Sequence, residues 1–135
     1  MKAYRKIVGL SLSLLSALAW SADYYVAPNG TGDYLSPTTP GGSVSYAVHT
    51  LAAAGDTIHL AVGDYDLTGQ HPAGGTYAHL QPTVKNLTVV GGSFDPTATR
   101  LLGDGTARVF YFEKKNASQD ASGLSIRDLT VRGGK

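Results

Sequence analysis

The chain has no cysteine among its 135 residues, so neither disulfides nor thiolate metal sites hold it together. Its stability has to come from an apolar core or from stacking. Charge is sparse too: Lys, Arg, Asp and Glu make up 16% of the residues, with no basic stripe, which argues against nucleic acid as a partner. No Gly-x-Ser-x-Gly elbow, phosphate loop or dinucleotide fingerprint occurs. Long hydrophobic runs are also missing. The one apolar stretch, residues 7–19, is broken by Gly9 and three serines and is too short to span a bilayer comfortably.

What stands at the N-terminus instead is an address. Lys2, Arg5 and Lys6 precede that stretch, giving the charged n-region and short h-region of an export signal, residues 1–22. Small residues allow cleavage before Trp20, before Ala22 or just before Asp23; the plainer alternative is an uncleaved N-terminal anchor. The mature part, residues 23–135, is then exported: secreted, periplasmic or on the outer surface, with no transmembrane span once the signal is removed. Residues 1–22 hold three of the eleven basic residues and none of the ten acidic ones, so eight face ten in the remainder, a formal charge of −2.

Glycine is abundant, with seventeen residues, and points to a turn-rich β protein. Tyr24-Tyr25-Val26-Ala27 reads as a strand stopped by Pro28-Asn29-Gly30, and an irregular loop follows to Gly42. Val44, Ala47, Val48, Leu51 and Ala52 then share one helical face, with Ser43 placed to cap the N-terminus and Gly55 the C-terminal end. Ile58, Leu60 and Val62 alternate as a half-buried strand ended by Gly63. Residues 67–82 read as a long glycine-rich excursion. Residues 87–90, 108–112, 124–126 and 129–131 supply further strands, with Arg127-Asp128 as a corner.

One segment returns: Asn86-Leu87-Thr88-Val89-Val90-Gly91-Gly92 recurs as Asp128-Leu129-Thr130-Val131-Arg132-Gly133-Gly134, 42 residues on, with the strand at 108–112 midway. Three strands at a step of about 21 residues suggest a solenoid, each strand stacking on the one before. Leu87, Val89, Leu129 and Val131 would point inward and Thr88 and Thr130 outward. In the aromatic strand either Phe110 with Phe112 or Val109 with Tyr111 faces in. The double glycines would turn the chain at positive φ, and the helix at 43–54 would cap the open first coil. The fold expected is all-β, a right-handed parallel β-helix with an N-terminal capping α-helix, cut off while coils are still being added.

Tyr24–Gly30, the helix, Ala54-Gly55-Asp56-Thr57-Ile58-His59-Leu60 and Gly63-Asp64-Tyr65 together resemble the start of secreted bacterial right-handed parallel β-helix proteins of the pectin lyase-like superfamily. The resemblance implies the fold. It leaves activity open, since that superfamily holds polysaccharide lyases, glycoside hydrolases, tail spikes and non-enzymatic surface passengers.

Candidate chemistry is thin. A lyase of this kind is expected to hold calcium on carboxylates and to use Lys or Arg as base. Asp64 and Asp66 would share one strand face, yet two ligands are few for calcium. Arg108, Arg127 and Arg132 are candidate bases or carboxylate clamps. His49, His59, His71 and His79 do not pair at metal-ligand spacing. Tyr24, Tyr25, Tyr34, Tyr65 and Tyr77 could form a sugar-stacking platform. Asn29, Asn86 and Asn116 begin glycosylation sequons that matter only in a eukaryotic secretory pathway. No catalytic set can be named from these residues and no cofactor is evident; calcium enters only with a lyase. The leading expectation is an exported β-helix scaffold of structural, adhesive or glycan-binding type, with a polysaccharide or cell-surface glycan as partner. The alternative is a pectate-lyase-like polysaccharide lyase or glycoside hydrolase whose catalytic coils lie beyond Lys135.

Overall fold

The computed structural model describes residues 20–72, 75 and 77–135, so the export signal read above lies outside it apart from residues 20–22. The described chain winds into a β-solenoid of about three turns built from parallel sheets. The strands are β1 (Asp23–Val26), β2 (Thr57–Leu60), β3 (Gly63–Asp66), β4 (Ala78–Leu80), β5 (Thr88–Gly91), β6 (Thr99–Leu102), β7 (Arg108–Phe110), β8 (Lys114–Asn116), β9 (Gln119–Asp120), β10 (Ser125–Arg127) and β11 (Thr130–Arg132). The first sheet runs β1-β2-β5-β10, the second β3-β6-β11 and the third β4-β7, all parallel. A full coil is thus one strand from each sheet. β8 and β9 form an antiparallel hairpin projecting between the third sheet and the return to the first.

Register turns these strands into stacked rows. Tyr24, Ile58, Val89 and Ile126 stand opposite one another in the first sheet, and Tyr65, Leu101 and Val131 in the second. Ile58, Val89 and Leu101 are fully buried, together with Leu60, Leu67, Leu80 and Leu87. Each such side chain contributes about 1.5–3 kcal/mol by leaving water. In the third coil the same rows surface, with Ile126 36% and Val131 43% exposed. Val109 is the buried residue of its strand, Phe110 is half-buried and Phe112 is exposed.

The coil is real, but the 42-residue repeat does not mark its period. Thr88 of the first copy pairs with Ser125 in the first sheet, whereas Thr130 of the second pairs with Arg100 in the second sheet. Stacked partners such as Ile58 and Val89, or Leu101 and Val131, are separated by 30 to 37 residues. The two copies share a corner: Asn86 and Asp128 sit at φ 55° and 57°, left-handed positions that Asn and Asp tolerate better than most residues. Each corner launches a Leu-Thr-Val strand, at two different edges of the solenoid. The first double glycine does not turn the chain at positive φ. Gly91 is small because a Cβ there would strike the Asp128 carbonyl of the next coil.

Capping is divided between two elements. Ser43 caps the helix as expected, its Oγ accepting from Tyr46 N–H at 3.1 Å. The helix is shorter than the apolar pattern suggests, an α-turn at Val44–Tyr46 running into a π-turn at Ala47–Leu51. Val44, Ala47 and Val48 join the core and close the solenoid interior. Gly55 does adopt positive φ, but it turns the chain into β2 and donates to the Lys85 carbonyl rather than ending the helix. The outer edge of β1 is covered by the preceding-helix loop, since Tyr25 donates to Tyr34 O and accepts from Gly41 N–H. The Tyr34 ring lies over Gly41, and its hydroxyl accepts from Ser43 N–H at 3.1 Å, joining loop to helix.

Asp56 and Tyr65 bind this cap to the first coil. The buried Asp56 carboxylate accepts from Ala22 N–H (2.8 Å) and Ala53 N–H (2.7 Å). The Tyr65 hydroxyl shares its proton between the Val26 and Ala61 carbonyls, at 2.9 and 2.8 Å, and burial pushes its pKa well above the ordinary range.

Candidate functional site

The residues singled out in the sequence scatter. Asp64 and Asp66 do share the outward face of β3, but Asp64 forms a bidentate pair with Arg100 of the next coil, at 2.6 Å on both arms. Asp66 accepts from Thr68 N–H, and this with the Thr68 hydroxyl holds its pKa below the usual range. The two carboxylates therefore act as coil-to-coil and turn contacts. Among the described residues no group of three His, Asp or Glu is arranged to hold a metal ion.

The five tyrosines form no common platform. Tyr24 packs against the core, Tyr65 is buried, Tyr34 lies in the cap and Tyr25 stacks on His59 at 5.0 Å. Tyr77 instead meets Tyr111 edge-on, with the Arg108 guanidinium 4.2 Å above its ring. Arg108 and Arg132 line one groove of about 460 Å³ with Lys135 and without a carboxylate side chain. Arg127 lies apart, in a groove with His59, Asp128 and the almost fully exposed Phe94. His59 bonds Asp23 at 2.9 Å on the surface.

A better-formed site lies away from every motif singled out above. A cleft of about 640 Å³ opens between the helix and residues 69–72 of the excursion. Ser43, Ser45, Tyr46, His49 and Thr50 make one wall, and Gly69, Gln70, His71 and Pro72 the other. Gln81, Thr83 and Gln119 of the β8–β9 hairpin complete it. Among the described residues no Asp, Glu, Lys or Arg lines it. Its walls are hydroxyls, amides and imidazoles, beside the half-exposed ring of Tyr46.

Local folding supplies this arrangement. Ser45 and His49 stand one turn apart on the helix, so their side chains meet, with Ser45 Oγ 3.0 Å from His49 Nδ1. A Ser–His pair invites a nucleophile reading, which the other nitrogen decides. Gln81 N–H donates to His49 Nε2 at 2.9 Å, so Nε2 holds the lone pair and Nδ1 the proton. Ser45 Oγ therefore accepts from His49, and His49 cannot take its proton. Burial lowers the His49 pKa, keeping the ring neutral. The pair is a rigid, uncharged wall rather than a reactive centre.

The fold defines a class, the parallel β-solenoids with a helix-and-loop N-terminal cap, and the cleft lies beside that cap. Compared with family models, with curated proteins and with solved structures, the chain matches none.

Proposed function

We propose that this chain is part of an exported β-helix scaffold that binds a neutral glycan in the cleft between its capping helix and the first-coil excursion. The observation that carries this reading is the lining: amides of Gln70, Gln81 and Gln119 and hydroxyls of Ser43, Thr50 and Thr83 converge, with no charged side chain among the described residues. Sugars present vicinal hydroxyls that both donate and accept, and amides and hydroxyls answer them in kind. Tyr46 offers the apolar ring surface that sugar faces cover. Residues 1–22 support export, and the resemblance, which covers nearly all of residues 24–134, supports membership of the pectin lyase-like superfamily with a bacterial source.

The test is calorimetric titration with neutral and uronate oligosaccharides, repeated on Gln119→Ala and Tyr46→Ala. Binding of a neutral oligomer, weakened at least about tenfold in both variants, is expected; loss of about 1.4 kcal/mol corresponds to that factor. Binding that neither variant alters would put the ligand elsewhere, and no neutral ligand at all would end the proposal.

A second reading draws on the groove of Arg108, Arg132 and Lys135, where cations without carboxylate side chains suit a uronate polymer. It is the polysaccharide lyase or glycoside hydrolase, whose calcium would be held by carboxylates other than Asp64, which Arg100 occupies. Incubation with polygalacturonate and calcium, followed by ultraviolet absorbance of the unsaturated product, tests the lyase form. No absorbance would remove it.

A further inference from the structure

His79 lies on β4, behind the cleft's outer wall, and is fully buried. Its Nδ1 is 3.0 Å from the Gln70 carbonyl oxygen and its Nε2 is 3.2 Å from Asp104 Oδ1, in the turn after β6. Carbonyl and carboxylate oxygens only accept, whereas a neutral imidazole has one proton and one lone pair. A proton on Nδ1 satisfies Gln70 but turns the Nε2 lone pair, closed off from solvent and without a hydrogen bond, toward a carboxylate. A proton on Nε2 turns the Nδ1 lone pair toward a carbonyl. Only the imidazolium carries a proton on both sides, donating to the Gln70 carbonyl and standing at ion-pair distance from the Asp104 carboxylate.

Two carboxylates stand near the ring. The Thr106 hydroxyl and N–H, helped by His79 itself, hold the Asp104 carboxyl at about 2, and Thr68 holds Asp66 below its usual range within reach of the His79 charge. Both remain anions wherever imidazoles titrate. From the excursion, His71 stacks on His79 with centroids 4.9 Å apart, its own Nδ1 directed to Ala78 O at 3.2 Å. Gln70 and His71, which line the cleft, thus both rest on His79.

We propose that His79 is a pH-dependent latch: its protonated ring ties the Gln70 carbonyl to Asp104, and loss of that proton releases the cleft wall formed by residues 69–72. The latch is a property of the fold; its use in controlling ligand binding rests on the glycan reading above. The proton that completes the second contact is the one a rise in pH removes, so the wall loosens toward higher pH.

The test follows His79 ring nitrogens by ¹⁵N NMR in the full chain from about pH 5 to about pH 8, with amide exchange at Gln70 and His71 measured alongside. Both nitrogens should carry protons at the acid end, one should be lost as pH rises, and the protection factor of the Gln70 amide, which removes the intrinsic base-catalysed rise in exchange, should fall about tenfold over the same interval. Asp104→Asn should move that interval to lower pH, and His79→Gln should abolish the pH dependence. A single neutral tautomer of His79 throughout, or a Gln70 protection factor that ignores its titration, would overturn the latch. These readouts need no ligand, so failure of the glycan reading leaves them intact. Where a neutral glycan does bind, an affinity independent of the His79 titration would overturn the latch's role at the cleft.

Discussion

Replacing Asp56 with alanine removes one carboxylate and loosens three segments at once. Its two oxygens accept from Ala22 and Ala53, holding the chain ahead of β1 and the chain after the helix against the start of β2. Hydrogen bonds to a charged group contribute about 1.5–3 kcal/mol each, which sets an upper bound of about 6 kcal/mol. Both bonds are part-buried, so the freed N–H groups recover some of that from water, and we expect a net loss of about 3 kcal/mol. For a domain stabilised by about 5–15 kcal/mol this is a large fraction. The assay is urea unfolding followed by far-ultraviolet circular dichroism. With an m-value of about 2 kcal/mol per molar, the midpoint should fall by about 1.5 M. Asp56→Asn keeps the shape but sets an amide NH₂ against one of the two donors, so it should restore less than half of the loss. A midpoint shift below about 0.3 M in Asp56→Ala would show that the cap is not fastened here.

Core and open-end positions of the same rows should respond differently. Leu101→Ala is expected to cost about 2–5 kcal/mol and Val131→Ala below about 1 kcal/mol, because the first is fully buried and the second 43% exposed; equal costs in denaturant titrations would contradict the stacking described. Gly41→Ala would drive a methyl group into the Tyr34 ring, so amide exchange at Tyr25 and Ala27 should rise while that in β5 and β6 does not. Acid should destabilise the fold. The Ser122 hydroxyl and N–H, with Lys85, hold Asp120 at about 2, and Thr106 does the same for Asp104. Such depressed carboxylates stabilise above their unfolded value near 3.9 and lose that contribution as pH falls toward about 2. Thermal melts that stay flat between pH 5 and pH 2 would refute it.

The architecture was readable in the sequence through a signal that meant something else. The Leu-Thr-Val repeat records a recurring corner, Asn86 and then Asp128 in the left-handed region, and any solenoid has several corners per turn. Period 21 reflected strands in three different sheets; the hairpin Lys114–Asp120 further hides the true spacing by lengthening one coil. β4 was concealed for a different reason. Ala78, His79 and Leu80 are all buried, so no alternation betrays a strand inside a glycine-rich excursion. The cap fared better, because Ser43 and the apolar stripe of the helix are local signals. Local signals could not reveal the cleft, whose walls come from positions 43–50, 69–72, 81–83 and 119. Nor could spacing pair His79 with Asp104, which only coil stacking brings to 3.2 Å.

Closure at the β1 edge and exposure at the β10–β11 end give the molecule a modular logic. Every residue lining the cleft, from Ser43 to Gln119, precedes β10 in the chain. Turns stacked on the third coil would meet Ile126 and Val131 without touching those walls. Cleft and coil number are therefore separable quantities in this fold: whole turns can be added at the β10–β11 end while the walls at the capped end stay the same.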